Sequence, residues 1–417
     1  MFNFLRKASR AGSLIPIKPG RPQWSSHNYN SLAYNGYETN VVAYKCIAYV
    51  AMAMSVVKWE VWRDGTRLTD GIPFFNNLQL RANHDQTFPE WVRDNVCYQL
   101  LAGECFEELL EVGGVPQELY ALRPDKMGVV RNNSGRVARY IYKDKGEEII
   151  YPVDLMNGKS LINHSKYFNP RNPDRGHSPS FAAGFAIDQL NEAMSTVQAI
   201  MQNGMIPSGA VGLDGDTIIG DDELNEVQAR LDERFSGSMN SGRIPILKGG
   251  MSWIKMGFSP TEMGNLEIKA SAARDVCMGF GVPGLLLGLP GDNTYANFSE
   301  ARVNFWEDTI MPQAEHKAAA WSKWFRPWLP ERAIIKPRFD HLPAMIERRS
   351  LMWSMIENAS DLTINEGREF KGLPPIEHGD DVLVQSGKVP LSLLVQMVND
   401  TTTPEDDEDE DNNKGYY

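Results

Sequence analysis

Apolar residues recur at helical spacing twice in the second half of this chain, on either side of a short polar break. From Glu262 to Phe280 the residues Leu266, Ala270, Ala273, Cys277 and Phe280 return every three or four positions, which predicts one stripe of an α-helix. Gly281-Val282-Pro283-Gly284 stops the pattern, because proline cannot continue the ladder and glycine tolerates the exit geometry. A second helix is predicted from about Ser299, with Phe298, Ala301 and Phe305 on one stripe and Val303, Trp306 and Ile310 beside it. Pro312 falls inside that pattern, withholds the amide that would bond Asp308, and predicts a bend. Between the helices, residues 288–297 are polar and glycine-rich. A loop slung between two long helices is usually exposed and often functional.

The earlier chain divides by period. Residues 1–30 are rich in Pro, Ser, Gly and Asn and read as an extended arm. Val41 to Val57 has a helix pattern and leads into a strand at Lys58 to Arg63, closed by the turn Asp64-Gly65. Thr87-Phe88-Pro89-Glu90 is a capping box with proline in the first turn, so a helix is predicted there. After Gly103 the period becomes two. Strands are predicted at Cys105–Val112, Gln117–Leu122, Met127–Arg131, Val137–Tyr142 and Glu148–Tyr151, with glycine-containing turns between them. These make an α+β domain ending near Gly176.

From Ser178 to Asn203, Ile187, Leu190, Met194, Val197 and Met201 step by three or four and predict a long amphipathic helix. A compact unit follows: a strand at Ser208–Gly212, a helix at Asp221–Phe235, and strands at Arg243–Leu247 and Ser252–Met256. Its helix carries Asp221, Asp222 and Glu223 in the first turn and Arg230 and Arg234 near the end, both favourable to the helix dipole. The unit lies between the helices 178–203 and 262–280, which suggests a small domain borne on a helical hairpin. Beyond Trp328 a strand at Ala333–Phe339 precedes helix-like segments at Ala344–Glu357, Thr363–Phe370 and Leu391–Val398.

Composition narrows the classes. The 417 residues allow two or three domains with ample core. No run reaches the roughly 18 to 20 apolar residues of a membrane helix, and the first residues lack a secretory h-region. The four cysteines are scattered without metal-ligand spacing, as expected of free thiols in a reducing cytoplasm. Seven consecutive acids, Glu405 to Asp411, account for much of the net charge of −12; removing them leaves −5. Such a block reads as a solvated tail, with cation binding or nucleic-acid mimicry as alternatives. A mildly acidic body argues against tight DNA binding through a basic face, but not against a surface that DNA slides past.

Catalytic and cofactor motifs are weak. Gly279 to Gly284 matches G-x-G-x-x-G by letter, yet it closes a helix instead of following a strand. Gly158-Lys159-Ser160 lacks the first glycine of a phosphate loop, where Val153 stands. No cofactor is expected. The histidines never pair at metal-ligand spacing, so no metal is expected; a hydrolase using His164 or His177 with a nearby acid stays a minor alternative. Trp321, Trp324, Phe325 and Trp328 interleave with Lys323 and Arg326 as in single-strand binders, but their helical spacing favours buried packing.

Ordered short segments then carry a resemblance. Phe280-Gly281-Val282-Pro283, Leu287-Gly288, Thr294-Tyr295-Ala296-Asn297 and Glu300-Ala301-Arg302 resemble the signature of siphovirus-type tailed-phage portal proteins. Leu101 to Phe106, Leu122 to Asp125, Gly176 to Pro179 and Asn203 to Gly209 match in the same order, as do Phe235 to Gly237 and Leu247 to Gly250. The resemblance spans about Tyr37 to Leu383 and implies the α+β portal fold, assembled as a ring of commonly twelve subunits at one capsid vertex.

On that pattern, an arm (1–30) precedes an α/β wing (31–177, with a kinked helix and wing return at 299–342). Stem helices at 178–205 and 258–283 flank a small α/β clip (206–257). A tunnel loop (284–298), a helical crown (343–398) and an acidic tail (399–417) complete it. The implied channel residues are Asp292, Asn293, Thr294, Tyr295 and Asn297, with Lys269, Arg274 and Glu192 on the stem. Asp221, Glu223, Arg230 and Arg234 on the clip would meet partners. Those partners would be the terminase large subunit and then the head-completion adaptor, with major capsid protein and scaffold around the ring and double-stranded DNA through it. The expected setting is the virion, after assembly in the host cytoplasm. A capsid or scaffold protein without a tunnel is the alternative.

Overall fold

The computed structural model describes residues 28–68, 72–202, 209–213, 251–255 and 265–289, and most of 295–393 except 360–361, 372, 374, 378, 381–382, 385–388 and 391–392. Contacts divide the chain into two units: Met1–Tyr44 with Pro179–Gly279, and Lys45–Ser178 with Phe280–Tyr417.

The larger unit is built on short antiparallel sheets. Strands β1 (Lys58–Arg63) and β2 (Thr66–Arg67) form a hairpin over Asp64-Gly65. Next come β3 (Glu104–Val112), β4 (Val115–Leu122), β5 (Met127–Arg131), β6 (Val137–Asp144), β7 (Glu147–Pro152) and β8 (Ile162–Lys166). β3 is central in the order β4-β3-β8, and β6 is central in β5-β6-β7. The late strand Ala333–Arg338 returns to pair with β1, setting Val61 opposite Ile335. That closure joins residues far apart in the chain and fixes the helix before it.

The helix Phe88–Ala102 begins as its sequence demands. Thr87 Oγ1 accepts from Glu90 N, and the Glu90 carboxylate accepts from Thr87 N at 2.8 Å, a reciprocal cap. It ends at Gly103 with φ +82°, where a Cβ would sit 2.5 Å from the backbone of His177. Only glycine allows the segment 176–178 to cross there. The expected aromatic stripe is core: Trp321 stacks on Trp91 at 5.5 Å and meets Trp59 edge-on at 4.5 Å. Trp324 and Phe325 are buried with it, while Trp328 is half-buried and donates to Gly114 O.

In the smaller unit, the helices Gly184–Gln202 and Asn265–Gly279 pack along each other. Ile187 and Leu190 on the first are buried, as are Ala272, Ala273, Val276 and Cys277 on the second. Gly279 lies so close to Ala183 that a Cβ would meet its methyl at 3.0 Å. Residues 28–44 group with these helices and not with the sheets. Asn40 donates to Asn191 Oδ1 (2.8 Å), Asn191 donates to Asn35 O (2.9 Å), and Asn40 Oδ1 accepts from Val42 and Ala43. Two paired strands, Gly209–Leu213 and Met251–Lys255, lie in the chain between the helices.

Three sequence expectations shift. The second long helix starts at Tyr295, not Ser299, because Tyr295-Ala296-Asn297 holds neither glycine nor proline to delay it. At Pro312 the expected disturbance is a π-helical turn, Phe305–Ile310, after which Pro312 sits in the first turn of Met311–Trp324. There its missing amide costs little. β8 and the helix Pro73–Leu80 are additional elements.

Candidate functional site

The polar break is held at its base by buried neighbours. Phe280 and Val282 are buried on either side of Gly281, whose φ is +67°. Thr309, in the π-turn, donates its hydroxyl to Gly281 O at 2.6 Å. Past Pro283 the chain makes a 3-10 turn, Gly284–Leu287. Leu286 N donates to Pro283 O, and Leu289 N returns to Gly284 O at 3.1 Å. The segment then re-enters regular structure as the helix Tyr295–Asn304.

The expected channel residues are only partly visible. Asp292, Asn293 and Thr294 lie outside the described residues. Tyr295 and Asn297 belong to the first turn of a helix instead of the loop, and Asn297 is exposed. Beside it, the Arg302 guanidinium lies 5.6 Å over the half-open Phe298 ring. The π-turn at the base is itself fastened: Phe305 packs on Tyr49 at 5.0 Å, and Glu307 pairs with Arg348.

The stem residues Glu192, Lys269 and Arg274 all lie exposed on the two paired helices of the smaller unit. Asp221, Glu223, Arg230 and Arg234 fall outside the described residues, as do the acids of 405–411.

His164 is a buried clamp member. Its Nε2 lies 2.8 Å from Glu104 Oε2, and its ring stacks on Phe106 at 4.2 Å. Glu104 also takes Arg175 Nε at 2.8 Å and the Gly176 amide at 3.1 Å. Arg175 spends its other nitrogens on Met127 O and Pro124 O. Burial pulls the His164 pKa below the usual imidazole value despite the carboxylate beside it. The histidine–acid contact that a hydrolase needs does exist, but both groups are enclosed and the carboxylate is consumed by three donors. His177 is exposed on the crossing segment.

A second buried cluster was not foreseen. Glu107, fully enclosed on β3, takes the Trp321 indole N–H (2.9 Å) and the Asn163 amide (2.6 Å) on Oε2. Lys317 Nζ stands 2.9 Å from Glu107 Oε1, a charge contact whose angle falls outside hydrogen-bond geometry, and 3.6 Å from Cys105 Sγ. Burial would lower the Lys317 pKa, but the Glu107 carboxylate beside it more than offsets that, and the net shift is upward. Burial pushes the Cys105 thiol up to about 12, so it is an inert thiol at neutral pH. Residues so distant in sequence leave no spacing signal. Among the described residues, no cluster of His, Cys, Asp and Glu suits a metal ion, and no helix is long and apolar enough to cross a membrane.

Comparison with known proteins places the chain in a family. The model of the phage portal protein family matches residues 41–372. An uncharacterized protein of Rickettsia felis is 34% identical over 346 residues, covering 82% of this chain and 89% of its own. One from Rickettsia bellii is 33% identical over 350 residues, covering 84% and 90%. Among solved structures, a chain from the neck of a native gene transfer agent particle, computed with C12 symmetry, is similar with TM-score 0.65 and 32% identity. The match covers 86% of this chain and 96% of that one. An HK97-family phage portal protein from Corynebacterium diphtheriae shares the fold (TM-score 0.54, 13% identity, covering 76% and 96%).

Proposed function

This chain belongs to the phage portal protein family, and from that premise we propose that it is one subunit of a ring at a vertex of a phage-like particle. Double-stranded DNA would enter and leave through that ring. The role is structural, in the virion. The observation that carries the ring is the match, over 86% of this chain and 96% of that one, to a chain in a particle neck of C12 symmetry. Twelve copies are therefore the favoured number, and closure follows from a repeated head-to-tail interface.

Within this reading, residues 31–177 and 299–342 form the wing, 178–205 and 258–283 the stem, 206–257 the clip and 343–398 the crown. The clip docks the terminase large subunit during filling and the head-completion adaptor afterwards. Major capsid protein and scaffold surround the ring, which assembles in the host cytoplasm. The packaging ATPase is a separate chain.

The loop 284–298 and the helix start beside it line the narrowest passage. Asp292, Asn293, Thr294, Tyr295 and Asn297 are polar and, Asp292 aside, uncharged. Such groups reach phosphates by hydrogen bonds without the salt-linked attraction that would stall movement. Deleting 291–296 should abolish packaging or genome retention while rings still form. Wild-type DNA content in particles carrying that deletion would refute the loop's role. The higher identity to gene transfer agent chains than to the HK97-family portal favours a particle of the former kind. Sequencing the packaged DNA distinguishes the two: host fragments fit the first, a single viral genome the second.

A further inference from the structure

We propose that Thr309 is a positioning residue: its buried hydroxyl, presented by the π-turn, sets where the chain begins the segment that lines the passage. The contact stands on geometry alone; its consequence for DNA rests on the portal reading.

A threonine inside an ordinary helix returns its hydroxyl to a carbonyl of its own preceding turn. Thr309 instead donates to Gly281 O, 28 positions earlier in the chain, at 2.6 Å. The π-turn Phe305–Ile310 that presents it is a rare form, concentrated at functional places because the wider turn re-aims side chains. The acceptor side is equally specialised. Gly281 adopts φ +67°, and a Cβ there would stand 2.8 Å from Thr309 Oγ1. A side chain at 281 would collide with the very hydroxyl that holds it.

The π-turn is fixed from two further directions, by Tyr49 packed on Phe305 and by Arg348 paired with Glu307. Phe280 and Val282 bury the flanks of Gly281. The segment from Gly281 to Leu289 therefore leaves from the same base, the helix 295–324, on which the break ends. Its own bonds, Leu286 to Pro283 and Leu289 to Gly284, shape it locally but do not anchor it. The Thr309 hydroxyl adds a polar tie to that buried base. A valine of the same shape keeps the packing and removes that bond.

The test compares Thr309→Val and Thr309→Ser in the full-length chain. Amide exchange of residues 282–289 reads the contact, and DNA content of particles from complemented producing cells reads its consequence. Thr309→Val should raise exchange about tenfold, the factor that the loss of one such bond carries, and should lower retained DNA. Thr309→Ser should restore both. Gly281→Ala strains the same contact from the other side and repeats the test should the valine variant fail to fold. Exchange is read whether or not rings close. Unchanged exchange in Thr309→Val, or a serine variant no better than valine, overturns the proposal. Raised exchange with undiminished DNA overturns the positioning role and leaves only a bond of the fold. Neither result touches the portal reading, which electron microscopy of the purified chain tests separately.

Discussion

Strand β3 and the helix Ile346–Asn358 lie in the same unit yet solve opposite problems. On β3, Glu104 and Glu107 are enclosed, and each carboxylate finds its partners within the chain: His164, Arg175 and the Gly176 amide for one, Lys317, Trp321 and Asn163 for the other. Burying a charge is costly unless it is paired and bonded, so both faces of this strand are complete in a single subunit. The helix Ile346–Asn358 buries none of its described residues. Leu351 and Met355 are 58% and 69% exposed, beside Met352 and Trp353. A row of apolar side chains left in water is the mark of a surface that expects company. One region is self-sufficient; the other is consistent with a chain that works in a ring.

The sharpest break of this contrast comes from removing one buried partner. Lys317→Ala leaves Glu107 charged and enclosed and should cost about 3–5 kcal/mol in denaturant unfolding. Replacing both, Glu107→Leu with Lys317→Met, should recover only part of that loss, because the Trp321 N–H and the Asn163 amide then lose their acceptor. If the single change is mild, the Glu107 site is not the sealed one described. Gly103→Ala comes next, at about 2–4 kcal/mol, since it combines a positive φ with a backbone collision at 176–178.

His164 gives a pH signature. Its folded pKa lies below its unfolded value, so the unfolded chain binds more protons as pH drops below about 6.5. Stability should be fully present above that pH and decline through the range beneath it, and His164→Gln should flatten the decline. Thr87→Ala should cost about 1 kcal/mol by leaving the helix start uncapped. Smallest of all, Met352→Ser with Met355→Ser should change the single chain's stability by less than about 0.5 kcal/mol. A large loss there would mean the helix is already packed within its own subunit.

Elements announced by local chemistry were legible in the sequence. The Thr87–Glu90 cap, the turn at Asp64-Gly65 and the Trp321 stripe each depend on residues a few positions apart. β8 was not legible: Ile-Asn-His-Ser-Lys has little strand propensity, and only pairing with β3 makes it a strand. Pro312 announced a broken ladder, yet its form, a π-turn before the proline, depends on Phe305, Glu307 and Thr309 each meeting a distant partner. The polar break and its glycines marked the candidate site, but the start of the following helix was placed too late because polar residues were read as loop. Glu107–Lys317 and Thr309–Gly281 join residues 210 and 28 positions apart. No periodicity encodes such contacts.

The most direct test of the portal account is electron microscopy of the purified chain, with mass determination, alone and together with its capsid protein. The account predicts closed rings of about twelve subunits around a central hole. A chain that stays a compact monomer under both conditions, and is missing from the particle vertex, would contradict it.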